Sequence, residues 1–202
     1  MLIKTDDITS LILAGGKSTR MGGIDKGLIE INGELIIKNL SMLACKYSHS
    51  VFINANRNID KYKRLGFSVI EDSLKNFQGP LSGIYSGLCQ MKTKYLLTLP
   101  CDGPLICDEY FDRMLRNCGS KINCAFSNSR LQPVYALIHK SCKTNLEKFL
   151  NDGERKIDKW YTQENFQIID FSDLPEMFIN INNEEELIKY KNRILEKIKH
   201  DN

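Results

Sequence analysis

An apolar run, Leu11 to Leu13, opens directly into the loop Ala14-Gly-Gly-Lys-Ser-Thr-Arg-Met-Gly-Gly-Ile-Asp-Lys-Gly27. The run reads as a short buried strand. In the loop, Gly15, Gly16, Gly22, Gly23 and Gly27 are interleaved with the cations Lys17, Arg20 and Lys26. Glycine lets backbone N–H groups turn toward a ligand and lets that ligand come close. The cations supply charge where phosphate oxygens would lie. A strand feeding a loop that is both glycine-rich and basic reads as a phosphate site. Its spacing excludes two common versions. Gly16-Lys17-Ser18 has the ending of a P-loop, but the first glycine of that motif would stand at position 11, which is Leu. No Gly-x-Gly-x-x-Gly occurs, so the dinucleotide fingerprint is absent as well.

The 202 residues are enough for one domain with one sizeable core. An apolar fraction of 42% and a charged fraction of 26% are ordinary for a soluble globular protein. A net charge of +3 does not argue for nucleic acid; a basic pocket for an anionic substrate accounts for it equally well. No apolar run approaches the roughly 18 residues of a membrane span, and the N-terminus lacks a signal-peptide layout. The seven cysteines are scattered and form no Cys-x-x-Cys. They read as reduced thiols of a cytoplasmic protein. Cys101 and Cys107 lie near the expected site but are not read as catalytic.

Further along, short apolar segments alternate with helical patterns. The expected strands are Leu11–Leu13, Val51–Ile53, Phe67–Ile70, Tyr95–Leu99, Asn123–Phe126, Val134–Ile138 and Phe166–Ile169. Between them, Ile36, Ile37, Leu40, Leu43, Ala44 and Tyr47 recur at helical spacing, as do Leu81, Ile84, Leu88 and Met91. Strand–helix alternation predicts an α/β fold, a mainly parallel sheet with helices on both faces. A last helix is expected after its cap Asn183, with Glu184–Glu186 in its first turn, Lys197 and Lys199 near its end, and the segment Leu187 to Ile198 packed on the sheet. No linker divides the chain, so 1–202 is expected to be a single domain.

In an open parallel sheet, ligands bind beyond the carboxyl ends of the strands. Besides the opening loop, three expected strand ends carry suitable residues: Asn54, the Glu71-Asp72 pair, and Pro100-Cys101-Asp102-Gly103-Pro104. Asn54 also suits a turn, and Asp72 a turn or helix cap. Asp102, held between prolines directly after a buried strand, suits a metal ligand, and carboxylate oxygen suits Mg²⁺. Gly79-Pro80-Leu81-Ser82-Gly83 starts a helix whose N-terminus can face an anion. Asn180 and Asn182 alternate around Ile181, so in an extended segment their amides face the same way. Arg155 and Lys156 read equally well as surface charge.

The spacing Leu-Ala-Gly-Gly-x-x-x-Arg-Met-Gly, followed by Gly23-x-Asp25-Lys26-Gly27-Leu28, resembles the molybdenum cofactor guanylyltransferases of the nucleotidyltransferase superfamily. The likeness runs from about Ile8 to Leu187, and includes Gly-Pro-Leu-x-Gly at Gly79–Gly83 and Pro-x-x-Ala-Leu at Pro133–Leu137. It implies a three-layer α/β/α, Rossmann-like nucleotidyltransferase fold. The part up to about residue 105 would bind nucleotide, and residues from about 106 would contribute to the acceptor site. It implies transfer of GMP from Mg-GTP to the terminal phosphate of the molybdopterin cofactor, with release of pyrophosphate. By position, Leu13, Ala14, Gly15 and Gly16 would contact the nucleotide, Lys26 its phosphates, and Asn54 and Asp72 the guanosine, while Asp102 would bind Mg²⁺. Gly23, Gly79, Gly83, Lys156, Asn180 and Asn182 would belong to the acceptor side, the glycines of the helix start lining the pterin. Lys156 stands where relatives often have Arg, and Lys cannot make the planar bidentate contact of Arg. Ile106-Cys107 replaces a second proline that relatives often carry. The pair Gly15-Gly16 favours GTP over CTP.

No side chain stands out as a nucleophile, and none is needed if the acceptor's own phosphate attacks the α-phosphorus. The residues expected to carry catalysis are Arg20, Lys26 and Asp102, by positioning and charge stabilisation. Arg20 would either offset charge on the leaving pyrophosphate or hold the acceptor phosphate. The rival readings are a relative that uses CTP or a sugar-phosphate acceptor, and an inactive nucleotide-binding regulatory module. The expected partners are GTP and molybdopterin cofactor, with transient contacts to proteins that deliver the cofactor or mature molybdoenzymes, and neither nucleic acid nor membrane.

Overall fold

A computed structural model describes residues 3–14, 25–74 and 79–201. The central sheet is built from β1 (Ile8–Leu13), β4 (Ser50–Asn54), β5 (Ser68–Ile70), β6 (Tyr95–Pro100), β7 (Ile122–Ser127), β8 (Arg130–His139) and β9 (Phe166–Asp170). Its order is β5-β4-β1-β6-β8-β7-β9. β8 runs antiparallel to both of its neighbours, and the other pairings are parallel. Every expected strand is present, most of them longer than the apolar run that marks it. β8 extends farthest beyond its run because its register slips. Opposite Cys124 it pairs through Ala136, and opposite Ala125 through Gln132, so Pro133, which lacks an N–H, sits in the bulge between.

Helices cover both faces, giving three α/β/α layers. On one face, α1 (Ile36–Cys45), α4 (Asp108–Arg116) and α7 (Glu184–Asp201) contribute Ile36, Leu40, Tyr110, Phe111 and Ile194 to one core. On the other, α3 (Pro80–Gln90), α5 (Lys143–Asn151) and α6 (Ile157–Gln163) contribute Leu81, Ile84, Leu146, Phe149 and Trp160. The strands feed both cores by period-two alternation: Ile8 and Ile12 face the first layer, Leu11 and Leu13 the second. A short α2 (Ile59–Lys63) places Tyr62 in the first core.

One feature lies outside the expected strand pattern. A small hairpin joins β2 (Glu30–Ile31) to β3 (Glu34–Leu35) through Asn32 (φ 52°) and Gly33 (φ 82°), the Asn-Gly signature of a primed turn. Strands this short have too few residues to show alternation, so only the turn marks them. The last helix starts where the sequence places it, directly after Asn183, whose Oδ1 accepts the Glu186 N–H at 2.8 Å and closes the first turn.

The chain moves outward from β1 to β4 and β5, then returns through α3 to β6 on the other side of β1. The order therefore reverses between β1 and β6, the point where open α/β sheets hold ligands. Among the described residues, no helix is long and apolar enough to cross a membrane. Asn183→Ala removes the side-chain cap and is expected to lower stability by about 1 kcal/mol. A thermal melt would show this as a loss of about 2–4 °C in Tm, the size expected for a chain of this length.

Candidate active site

The sheet register brings Leu13, Asn54, Ile70 and Pro100 level at one edge. The Ala14 N–H donates to the Asn54 carbonyl at 2.9 Å and the Cys101 N–H to the Leu13 carbonyl at 3.0 Å, carrying the ladder just past the strands. Polar side chains gather in two clusters along this edge.

The first cluster lies beyond β4 and β5. Asn54 is 3% exposed, and its side-chain N–H₂ donates to Asp72 Oδ1 at 2.9 Å and to the Ile70 carbonyl at 3.3 Å. Asn56 Oδ1 accepts the Asp72 N–H at 2.9 Å, so Asp72 is anchored by backbone and side chain. The N-terminal turn of α3 presses on this cluster from the second layer. A Cβ at Gly83 would overlap the Asn54 amide oxygen and stand 2.5 Å from Leu13 Cδ2. Only glycine lets the helix approach so closely. Gly79, at the N-cap with φ 124°, starts the same turn. Gly83 thus packs against Asn54 and Leu13, residues that the motif likeness assigns to the nucleotide.

The second cluster straddles the reversal between β1 and β6. Lys26 Nζ donates to Asp102 Oδ2 at 3.0 Å and to Asn182 Oδ1 at 2.7 Å. The Lys26 and Asp102 side chains are only 20% and 18% exposed, so salt screens this pair less than a surface pair. The Asp102 carbonyl accepts the Ile181 N–H at 2.8 Å, which docks the segment before α7 onto the Asp102 turn. Asn182 in turn is held by its own N–H, which donates to Glu186 Oε2 at 2.6 Å, and by its side chain on the Asn180 carbonyl at 3.3 Å. Asn180 Oδ1 accepts the Tyr135 hydroxyl at 3.3 Å. Tyr135 is 2% exposed, and burial and the nearby Asp102 charge push its phenol well above the usual range, so it serves as a donor. The buried Cys101 thiol is also pushed up, by burial and then by the Asp102 charge, which leaves it a poor nucleophile.

Lys156, just before α6, is exposed and stands apart from these contacts. Its neighbour Arg155 donates to the Leu150 and Glu154 carbonyls at 3.1 and 2.6 Å, closing the C-terminal end of α5. The candidates Gly15, Gly16, Arg20 and Gly23 lie outside the described residues. Among the described residues, no group of three or more His, Cys, Asp or Glu side chains converges as a metal cage.

One buried acidic side chain beside the site stands in the motif, but the sequence reading gives it no role. Asp25, 6% exposed, accepts hydrogen bonds from Tyr62 Oη at 2.6 Å, Asn58 Nδ2 at 2.9 Å and the Gly27 N–H at 3.3 Å. Its position directly before Lys26 was the available signal.

The family profile described as the MobA-like NTP transferase domain matches residues 10–166. A protein of Shewanella putrefaciens named molybdenum cofactor guanylyltransferase is 42% identical over 182 residues, covering 89% of this chain and 93% of that protein. A protein of the same name from Shewanella sediminis is 39% identical over 182 residues, covering 89% and 93%. Among solved structures, molybdopterin-guanine dinucleotide biosynthesis protein A from Archaeoglobus fulgidus superposes with a TM-score of 0.76 at 18% identity, over 93% of this chain and 99% of that one. The 4-diphosphocytidyl-2C-methyl-D-erythritol synthase of Anaerococcus prevotii shares the fold with a TM-score of 0.73 at 14% identity, over 95% and 97% of the two chains.

Gly83→Ala forces a methyl group against the Asn54 amide, and overpacking of this kind costs about 1–3 kcal/mol. A denaturant melt is expected to show that loss.

Proposed function

This chain belongs to the MobA-like NTP transferase family and is a nucleotidyltransferase, and from that premise we propose that it transfers GMP from GTP to the terminal phosphate of the molybdopterin cofactor. The products are molybdopterin guanine dinucleotide and pyrophosphate. The observation that carries this reading is the convergence of Lys26, Asp102 and Asn182 where the strand order reverses.

The nucleoside lies along the first cluster. Asn54 and Asp72 are fixed there before any ligand arrives, so little ordering remains to be paid on binding. The triphosphate then runs toward Lys26 and the glycine loop. Lys26 shifts its charge from Asp102 to phosphate oxygens, and the motif likeness assigns Arg20 either to the leaving pyrophosphate or to the acceptor phosphate. The acceptor enters from the side of Asn180 and Asn182.

An oxygen of the acceptor phosphate attacks the α-phosphorus and forms the new P–O bond. The bond from the α-phosphorus to the bridging oxygen breaks, and pyrophosphate carries away the electron pair. The chain supplies positioning and charge, and no side chain becomes covalently attached. Asp102 fits the role of a Mg²⁺ ligand on the chemistry of its surroundings. It is a sheltered carboxylate on which a cation, the Lys26 ammonium, already sits. Mg²⁺ commonly takes one or two carboxylates and completes its shell with water and substrate phosphates, so a multi-residue cage is not required. When bound, Mg²⁺ would neutralise charge on the phosphate oxygens. The cysteines, none in a disulfide, suit a reducing cytoplasm.

Pyrophosphate release measured with GTP, CTP or ATP, each with and without molybdopterin cofactor, tests the reaction. Release that needs both GTP and the cofactor is expected; release with CTP, or without acceptor, overturns it. Asp102→Asn should cut turnover by roughly 10²-fold, the loss typical of one preorganised electrostatic group. Lys26→Ala should weaken GTP binding as well as turnover, and unchanged affinity in a calorimetric titration would remove Lys26 from the phosphates.

A further inference from the structure

The Asp25 side chain is 4% exposed, yet it carries a carboxyl group and directly precedes Lys26. Both of its oxygens are engaged by donors. Oδ1 accepts from Tyr62 Oη at 2.6 Å and from the Gly27 N–H at 3.3 Å. Oδ2 accepts from Asn58 Nδ2 at 2.9 Å and stands 3.6 Å from Arg57 Nε. Burying a carboxylate is costly unless it is paired and hydrogen-bonded, and these donors meet that condition.

The donors come from two places. Gly27 belongs to the single 3₁₀ turn Lys26–Leu28, which Asp25 caps. Arg57, Asn58 and Tyr62 belong to the loop after β4 and to α2, the same connection that carries Asn54 and Asn56. Asn58 holds a left-handed conformation (φ 51°) and starts α2 while its amide reaches Asp25. A Cβ at Gly27 would stand 2.5 Å from Tyr62 Oη, so the turn lies flat against that hydroxyl. The carboxylate therefore ties the base of Lys26 to the β4 connection.

We propose that Asp25 is a positioning residue that sets Lys26 for the triphosphate. Lysine has a long, flexible side chain, and its reach is useful only if its backbone is anchored. Asp25 supplies that anchor through the capped turn, which delivers Nζ to Asp102 and Asn182. The same anchor links the phosphate lysine to the loop that holds Asn54, so nucleoside and phosphate contacts share one rigid support. This inference rests on the reading of Lys26 as a phosphate contact.

Asp25→Asn is the sharpest probe. An amide has one acceptor oxygen, so its N–H₂ must face donors that the carboxylate accepts. A double-mutant cycle with Lys26→Ala, read as the Kd of GTP in Mg²⁺ buffer by calorimetry, separates positioning from general destabilisation. Asp25→Asn alone is expected to weaken GTP on the order of 10-fold, within the coupling range of neighbouring residues. In the Lys26→Ala background the same change is expected to add less than about 2-fold, as for residues that act as one unit. Tyr62→Phe, which keeps the packed ring and removes one donor, runs the same cycle if Asp25→Asn does not fold. Additive losses would overturn the proposal, because Asp25 would then act independently of Lys26. Unchanged affinity in both Asp25→Asn and Tyr62→Phe, with Lys26→Ala weakened, would overturn it while leaving the Lys26 reading intact. Unchanged affinity in Lys26→Ala would overturn the reading itself and the proposal with it.

Discussion

The ammonium of Lys26 joins stretches of chain that lie far apart in sequence. It bonds Asp102 across 76 positions and Asn182 across 156. One partner follows β6, the other precedes α7, and the lysine itself follows β1. The site therefore exists only once both sides of the strand-order reversal and the last segment of the chain have docked. Its charge balance is local, since the ammonium and the carboxylate offset each other in a sheltered place. Under the proposed function, a phosphate or a metal ion would take over one half of that pair.

The first cluster, beyond β4 and β5, rests on different physics. Asn54 and Asp72 are held by neutral and charge-assisted hydrogen bonds at the ends of adjacent strands, and the start of α3 closes over them. That closure depends on Gly83, where any side chain would meet the Asn54 amide. The two clusters share the edge of one sheet, and Asp25 bridges them by tying the lysine's turn to the connection beyond β4. Rigid strands set the spacing, and short side chains at their ends set the chemistry. Helices pack on both faces of the sheet behind that edge.

Much of this was legible in the chain. The strands that carry the site announced themselves as apolar runs, and Asn54, Asp72 and Asp102 stood out as polar residues directly after them. The cap at Asn183 was readable for the same reason, because capping is a local contact within a few residues. Other parts were not. Nothing near Asn182 indicates that its amide oxygen meets Lys26, and nothing near Asp25 names Tyr62 or Asn58 as its partners. Arg155 read equally well as surface charge, but it bonds carbonyls at the end of α5. Gly83 read as part of a helix start, and its close approach to Asn54 became visible only when the helix was packed on the sheet.

The sequence by itself determined the alternation of strands and helices and which strand ends carry polar groups. Those follow from periodicity and from chemistry within a few residues, and each is written in consecutive positions. Tertiary structure alone decided the reversal between β1 and β6, the Lys26–Asp102–Asn182 junction and the burial of Asp25. These depend on contacts through space between segments that the chain's local pattern leaves independent. Only packing, which brings such segments within hydrogen-bond reach and removes the water between them, turns the opening loop's last lysine into part of a site.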